Sequence, residues 1–240
     1  MAPAVPDLAI REGAPAEDDP LRGERYVGPR NGLGQFEGLG KLRYANGETY
    51  QGKFLADQQD GRGVHRWPSG ASYEGEWIAG GRSGLGKYRF PEGDTYEGRW
   101  AVLKKGKGEE CVREGARGVY MWPNGESYTG GFKADKREGK GVFVWYSGRS
   151  DLCSYKAGKV VGNGVRWSAD RSTAWRLSNG VQGAEITLEE AAAELQAFES
   201  ACEEAVAKEV AAAEKFAADR AAKLEKERAK KKGKGTPRGK

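Results

Sequence analysis

Large aromatic side chains and glycines alternate with polar residues along most of the chain. Tyr73, Gly75 and Trp77 alternate with two glutamates, and this period of two residues predicts a strand whose faces differ. A second alternating stretch covers 84–90. The sequence Pro-Glu-Gly follows at 91–93, where proline presets φ and glycine accepts a positive φ, so these segments predict a β-hairpin.

The alternating stretches recur as a tandem repeat. Segments 50–72, 73–95 and 128–150 align without gaps, and each begins with Tyr-x-Gly-x-aromatic and continues after six residues with Gly-x-Gly. Units beginning at Tyr26 and Tyr96 match with extra residues, which in the second case lie at about 101–116. The sequence therefore predicts five clear units, and a degraded sixth unit in which Asp151 and Cys153 replace tyrosine and glycine.

A constant offset relates glycines and large rings in this repeat. If Phe90 pairs with Tyr96, each hairpin places a glycine opposite a ring that lies 14 residues later. A ring can lie over a glycine because glycine has no side chain, so together with Tyr50 we expect these pairs to form a structural ladder. The pairs are Gly40 with Phe54, Gly63 with Trp77, Gly86 with Trp100, Gly118 with Phe132, and Gly141 with Tyr155.

These tandem units resemble the MORN (membrane occupation and recognition nexus) repeat family over residues 26–180. The resemblance implies an all-β repeat fold, an elongated single-layer antiparallel sheet of tandem β-hairpins. MORN arrays occur in ciliary, flagellar and cytoskeletal proteins, in proteins that link membranes and beside lipid-kinase domains. The resemblance therefore favours a non-enzymatic structural or adaptor protein for protein–protein assembly in a cytoskeletal or ciliary complex. The alternative is a peripheral membrane or phosphoinositide-binding protein.

The composition changes after residue 180. Thr187 and Glu190 form a capping-box pattern, and an Ala-, Glu- and Lys-rich stretch then predicts a helix over 187–232. Leu188, Leu195 and Cys202 keep a heptad spacing, which is typical of a coiled coil and leaves oligomerisation through the helix open. We expect its first two turns to dock and the rest to face solvent or a partner, although it is long enough to follow the whole array.

Charge is unevenly distributed along the chain. The formal net charge is +5, but 220–240 contain ten basic and two acidic residues, so the remainder is acidic overall. The array is thus not expected to bind nucleic acid, whereas the tail should be attracted to acidic membrane lipids. We expect disorder in the acidic, Pro/Ala-rich leader 1–25 and in the basic tail 233–240. The candidate partner-binding lysines are Lys104, Lys105, Lys107, Lys230, Lys231 and Lys232.

No residue pattern points to catalysis. His65 is the only histidine, and although a His–Cys pair could be catalytic, its strand position favours a structural role. Three cysteines occur at spacings that match neither a zinc site nor a disulfide framework, which indicates a reducing intracellular compartment. The MORN resemblance implies the cytoplasm and, within it, the cytoskeleton or the axoneme of a cilium or flagellum. We expect no cofactor, metal or small-molecule substrate, and no apolar run reaches the length of a membrane span.

Overall fold

A computed structural model describes residues 17–19, 24–105 and 108–233, with side chains over 25–104 and 109–226. Within these residues, sixteen strands form one antiparallel sheet, and a single α-helix follows it. The elements are β1 (Glu17–Asp19), β2 (Glu24–Val27), β3 (Gly38–Arg43), β4 (Thr49–Leu55), β5 (Gln58–Arg66), β6 (Ser72–Ile78), β7 (Gly81–Arg89), β8 (Thr95–Lys105), β9 (Gly108–Arg113), β10 (Gly115–Met121), β11 (Ser127–Lys133), β12 (Lys136–Val144), β13 (Ser150–Lys156), β14 (Lys159–Trp167), β15 (Ala174–Ser178), β16 (Val181–Ile186) and α1 (Leu188–Gly233).

The strands follow one another across the sheet in chain order. The exception is β9, which belongs to the predicted insertion 101–116 and pairs with the outer part of β8, while β10 pairs with the inner part of β8 and with β11. Together, β9 and β10 take the place of the single second strand of the other units. The predicted architecture, an open antiparallel array of hairpins followed by a long helix, is confirmed.

Two kinds of turn alternate along the array. At 90–94 the Phe90 amide donates to the Asp94 carbonyl at 2.9 Å, and Gly93 has a φ of 100°. At the other end of the strands, Ala79 and Gly80 both have positive φ (49° and 83°), so this two-residue turn has the type I′ geometry that suits twisted antiparallel strands. The units at 50–72, 73–95 and 128–150 each contribute one three-residue turn and one two-residue turn.

The predicted strand register is wrong by two residues. Because Phe90 and Asp94 close the turn, Tyr96 pairs with Tyr88 and not with Phe90. Glycine consequently faces glycine across the strands, as in Gly86–Gly98, and Trp100 lies opposite Gly84. The other predicted pairs shift by two residues as well, except that of Phe132, which shifts by three because of an irregularity in β10. Their observed partners are Gly38 for Phe54, Gly61 for Trp77, Gly115 for Phe132 and Gly139 for Tyr155.

The ring that covers the glycines is the first tyrosine of each unit. A Cβ placed on Gly86 would overlap the ring of Tyr73, and the same holds for Gly63 beneath Tyr50. The Tyr73 hydroxyl then donates to the carbonyl of Glu76 at 3.1 Å. Residues 14 apart are joined by a hydrogen bond and not by strand pairing: the Trp100 indole donates to the Gly86 carbonyl at 3.3 Å.

Helix α1 folds back along the sheet. Thr187 and Glu190 form the predicted capping box, with the Glu190 amide donating to the Thr187 hydroxyl at 3.2 Å. Contacts then continue from Ala191, beneath the last strands, to Arg220, which pairs with Asp60 on β5. The helix rises about 44 Å over the 29 residues from Ala191 to Arg220. The sheet is about 43 Å wide from β15 to β5, which are nine strand spacings apart, so the two lengths agree. The helix therefore docks well beyond the two turns that the sequence predicts.

The sheet extends past both predicted ends of the array. Glu17–Asp19 form a strand within the leader for which the sequence predicts disorder, and pair with Glu24–Tyr26. At the other end, β15 and β16 add a hairpin that crosses the predicted boundary at residue 180. Residues 234–240, which form most of the predicted basic tail, lie outside the described residues.

Candidate functional site

One face of the sheet carries a continuous row of buried rings, which we call the inner ladder. Every ring in it is at most 5% exposed, and neighbouring rings meet edge to face with centroids 5.0–5.6 Å apart. This is the favoured geometry for aromatic pairs. The members are Tyr26, Phe54, Tyr50, Trp77, Tyr73, Trp100, Tyr96, Phe132, Tyr128 and Tyr155.

A second row of rings lies beside the first, closer to the three-residue turns. In this outer ladder, consecutive centroids are 4.2–5.8 Å apart over four and a half units. Its members are Tyr44, His65, Trp67, Tyr88, Phe90, Tyr120, Trp122, Phe143 and Trp145. All except His65 and Phe143 are only partly buried. The outer ladder is therefore an apolar surface that solvent reaches.

Arginines at equivalent positions join the two ladders. The guanidinium of Arg82 lies 4.4 Å from the Trp100 ring and 4.8 Å from the Tyr88 ring. Arg113 and Arg137 occupy the same place in the next two units, and Arg113 also pairs with Asp135 at 2.8 Å. Each cation lies over rings of both ladders, so the face combines aromatic area with positive charge.

His65 is a packing residue of the outer ladder. Its ring stacks on Trp67 with centroids 4.2 Å apart, and its two nitrogens hydrogen-bond Gln59 at 3.0 Å and Glu48 at 2.9 Å. Burial lowers its pKa below the usual value, and the Glu48 carboxylate opposes this shift. These contacts account for both nitrogens and match the structural role that the sequence favours.

Burial also governs the phenols of the inner ladder. Desolvation raises the pKa of Tyr50, Tyr73, Tyr96 and Tyr128, and raises that of Tyr155 to about 12. In the outer ladder, burial and a hydrogen bond to Asp94 raise the pKa of Tyr120 to about 12. All these rings are neutral at physiological pH, so the charge of the face comes from its arginines.

The opposite, reverse face is occupied by α1. A second cluster forms there around Ala191, Phe198 and Cys202, packed against Leu152 and Val165 of the sheet. Farther along the helix, contacts are mainly polar: the Ala116 amide donates to Glu209 at 2.8 Å, and Arg220 pairs with Asp60. The aromatic face is therefore the open face of the array.

The sixth unit interrupts the open face. Asp151 occupies the tyrosine position and forms a bidentate ion pair with Arg166, both bonds being 2.7 Å long. Cys153 occupies the glycine position, where burial raises the pKa of its thiol to about 11. A cavity of about 560 Å³ lies here, between Phe143, Trp145 and Tyr155.

The structure brings the predicted ladder residues together, whereas of the predicted lysines it describes the side chain of Lys104 alone. Lys104 is exposed on the extension of β8, and Lys105 ends that strand. Lys107 lies outside the described residues. Lys230, Lys231 and Lys232 belong to α1, but their side chains are not among those described. The lysines therefore remain predictions as partner-binding residues.

The outer ladder and its arginines are the functional candidates that sequence reasoning missed. Their signal was present, since one aromatic residue precedes the three-residue turn in each unit. These residues are Tyr44, Trp67, Phe90, Trp122 and Trp145. Their continuity could not be inferred because the incorrect register placed Phe90, and not Tyr88, beside Tyr96.

Comparison with known proteins agrees with the repeat geometry. The sequence profile of the MORN repeat matches five segments, at 33–49, 50–72, 73–95, 117–127 and 128–148. The chain is a MORN-repeat protein. The matched segments coincide with the units that contain the tyrosine–glycine contacts, and the insertion hairpin separates the third from the fourth. No curated protein sequence matches this MORN-repeat protein.

Several solved structures match the chain at low similarity. The TCP domain of Drosophila melanogaster SAS-4 (dCPAP), in complex with a proline-rich motif of Ana2 (dSTIL), is 14% identical, with a TM-score of 0.33 over 67% of this chain and 96% of that one. The TCP10 domain of Danio rerio CPAP, in complex with a STIL peptide, is 13% identical, with a TM-score of 0.22 over 72% and 98%. Similarity at this level carries no argument about the function of the MORN-repeat protein.

Neither a metal-binding cluster nor a membrane-spanning helix occurs among the described residues. No group of three or more His, Cys, Asp or Glu side chains in that part of the chain is placed to hold a metal ion. No helix described there combines the length and the apolar character that a membrane span requires.

Proposed function

We propose that this MORN-repeat protein is a non-catalytic adaptor that binds a protein partner on its open face. The observation that carries the proposal is the outer ladder, a continuous row of partly exposed rings on the face that α1 leaves uncovered. Tryptophan, tyrosine and arginine are the residues that dominate binding energy at protein interfaces. The open face presents all three in a regular array.

The dimensions of the outer ladder favour an elongated partner segment. One unit spans two strands, or about 9.6 Å, so the five equivalent rings from Tyr44 to Trp145 extend over about 38 Å. Each ring is in contact with its neighbours in the ladder, so little side-chain entropy is lost when a partner binds. A peptide or helix lying across the strands would contact several units at once.

The cytoskeletal or ciliary setting is the finer part of the proposal. Its support is the occurrence of MORN arrays in such assemblies. The insertion hairpin β8–β9, with exposed Lys104, and the solvent side of α1 offer additional surfaces through which one adaptor could join two partners. In this arrangement the open face holds one protein, and the helix or hairpin holds another.

Site-specific photo-crosslinking in the native cell tests the proposal. A photoreactive phenylalanine at Phe90, directly after β7, lies in the outer ladder, and one at Leu85, which is 42% exposed, lies within β7 on the reverse face. We expect a defined protein adduct from position 90 and none from position 85. Equal labelling from both positions would contradict binding at the open face.

Membrane binding through the basic tail requires a separate measurement. Sedimentation with acidic liposomes, comparing the full chain with one that ends at residue 226, isolates the contribution of the seven basic residues in 227–240. For an adaptor that acts through its open face, removal of the tail leaves the crosslinks at position 90 unchanged. Loss of those crosslinks together with liposome binding would favour the membrane alternative.

A further inference from the structure

The inner ladder ends abruptly in the sixth unit. In earlier units the second ring lies between two tyrosines: Trp77, for example, meets Tyr50 at 5.5 Å and Tyr73 at 5.1 Å. The equivalent ring, Tyr155, meets Tyr128 at 5.2 Å, but the next tyrosine position holds Asp151. One flank of Tyr155 therefore lacks the edge-to-face neighbour that the repeat supplies elsewhere.

The residues that replace the missing rings are smaller or already paired. Asp151 and Arg166 stand where Tyr128 and Phe143 stand in the preceding unit, and both their carboxylate–guanidinium bonds are made. The Trp145 indole donates to the same carboxylate at 3.2 Å. The Asp151 carboxylate is thus already paired with neighbouring side chains of the sheet, and its charge is not available to attract a cation.

The resulting space is a cavity of about 560 Å³ on the open face. Phe143, Trp145 and Tyr155 supply aromatic walls, and the guanidinium of Arg137 lies 4.6 Å from the Tyr155 ring. Val160 stands where Arg82, Arg113 and Arg137 stand in earlier units, which widens the space further. Both ladders therefore end at the same pocket.

We propose that this terminal pocket receives an aromatic side chain of the protein partner. The inference rests on the proposed function and names the anchor by which that partner is held. The other units show what such walls accommodate, since rings at 5.0–5.6 Å, edge to face, fill the equivalent space between second rings. The guanidinium of Arg137 favours the π-face of a ring and disfavours a cationic side chain.

The repeat also supplies a variant that fills the pocket from within. The triple substitution Asp151→Tyr, Cys153→Gly and Arg166→Phe restores the pattern of the preceding unit, in which Tyr128 covers Gly130 and Gly141 and pairs with Phe143. All three changes are needed, because a tyrosine lies over a glycine two residues later and because Arg166 would otherwise lose its carboxylate. We expect this variant to fold with an unchanged or higher unfolding midpoint.

Titration with p-cresol, the side-chain analogue of tyrosine, tests the pocket without any partner. The readout is the indole N–H resonance of Trp145 in a ¹H–¹⁵N spectrum of the full chain. We expect a saturable shift in the wild type and its loss in the triple variant. The saturated analogue 4-methylcyclohexanol should bind about two- to tenfold more weakly, the factor that corresponds to an aromatic–aromatic preference.

Four results would overturn the inference. Three concern the titration: no p-cresol shift at Trp145 up to the solubility limit, an equal shift in a folded triple variant, or equal binding of the saturated analogue. The fourth is a wild-type dimer in solution that Tyr146→Ala converts to a monomer. Tyr146 is 79% exposed beside the pocket, so that result would identify a second copy of this chain as the occupant. Crosslinks at position 90 are independent of these outcomes, so the pocket can fail while the proposed function stands.

Discussion

The inner and outer ladders consist of the same kinds of residue but differ in depth. Trp77 lies in β6 and Trp67 directly follows β5 on the same face. Trp77 is 4% exposed and donates to the Gly63 carbonyl, whereas Trp67 is only partly buried and stacks on His65. The comparison shows that aromatic content alone does not separate folding from binding. The exposed fraction of a ring separates the two roles: the buried rings of the inner ladder stabilise the array, and the partly exposed rings of the outer ladder remain accessible to a partner.

The largest difference is expected when one tryptophan of each ladder is removed. Trp77→Ala should reduce the free energy of unfolding by about 3–5 kcal/mol, because a buried ring leaves a cavity and the Gly63 carbonyl loses its donor. Trp67→Ala should cost about 1 kcal/mol, since solvent already reaches the ring. Urea unfolding followed by circular dichroism measures both. Equal losses would remove the distinction between the ladders.

Glycines beneath the inner ladder provide the next largest effect. Gly86→Ala forces a methyl group into the Tyr73 ring and should cost about 1–3 kcal/mol, as overpacking does elsewhere. Gly32→Ala is the matched control, because no atom lies within 4 Å of the Cβ it would gain. Calorimetry should show a lower midpoint for the first variant and no comparable decrease for the second. A neutral Gly86→Ala would mean that the tyrosine does not lie over the glycine.

The contact of α1 with the reverse face gives an intermediate effect. Arg220→Ala leaves Asp60, which is 6% exposed, without its cation and should cost about 1–2 kcal/mol, a figure reduced because Arg220 itself is partly exposed. Hydrogen exchange should accelerate in the second half of α1 and remain unchanged in the strands of the outer ladder. Lys223→Ala, at an exposed position of the same helix, is the control. Faster exchange throughout the open face would show that α1 supports both faces.

The smallest effect concerns pH and His65, a buried member of the outer ladder. Burial lowers its pKa in the folded state, so the unfolded chain binds a proton more readily. Its contribution to stability is therefore complete above the unfolded pKa of about 6.5 and is lost as the pH falls from there through the folded pKa. His65→Phe, which copies Phe143 in a later unit, should reduce the loss of stability between neutral and mildly acidic pH. An identical pH dependence in both proteins would contradict this assignment.

The sequence was sufficient to predict the hairpins, the family and the helix, because alternation, turn residues and the capping box are local signals. It was insufficient for the register, which depends on whether Phe90 or Tyr88 pairs with Tyr96 and thus on the hydrogen bonds of one turn. It also failed to predict the length of helix that docks. The second half of α1 is held by polar contacts such as the ion pair between Arg220 and Asp60, and such contacts produce no recognisable apolar stripe.

Matched substitutions on the two faces of the sheet test whether the partner binds through the outer ladder. One variant carries Trp67→Ser, Phe90→Ser and Trp122→Ser in the outer ladder, and the other carries Leu39→Ser, Leu85→Ser and Met121→Ser, three exposed apolar positions on the reverse face. With both variants shown to be folded, affinity for the partner crosslinked at position 90 is measured. We expect the outer-ladder variant to lose binding and the reverse-face variant to retain it. Retained binding by the outer-ladder variant, or equal loss in both, would contradict binding at the open face.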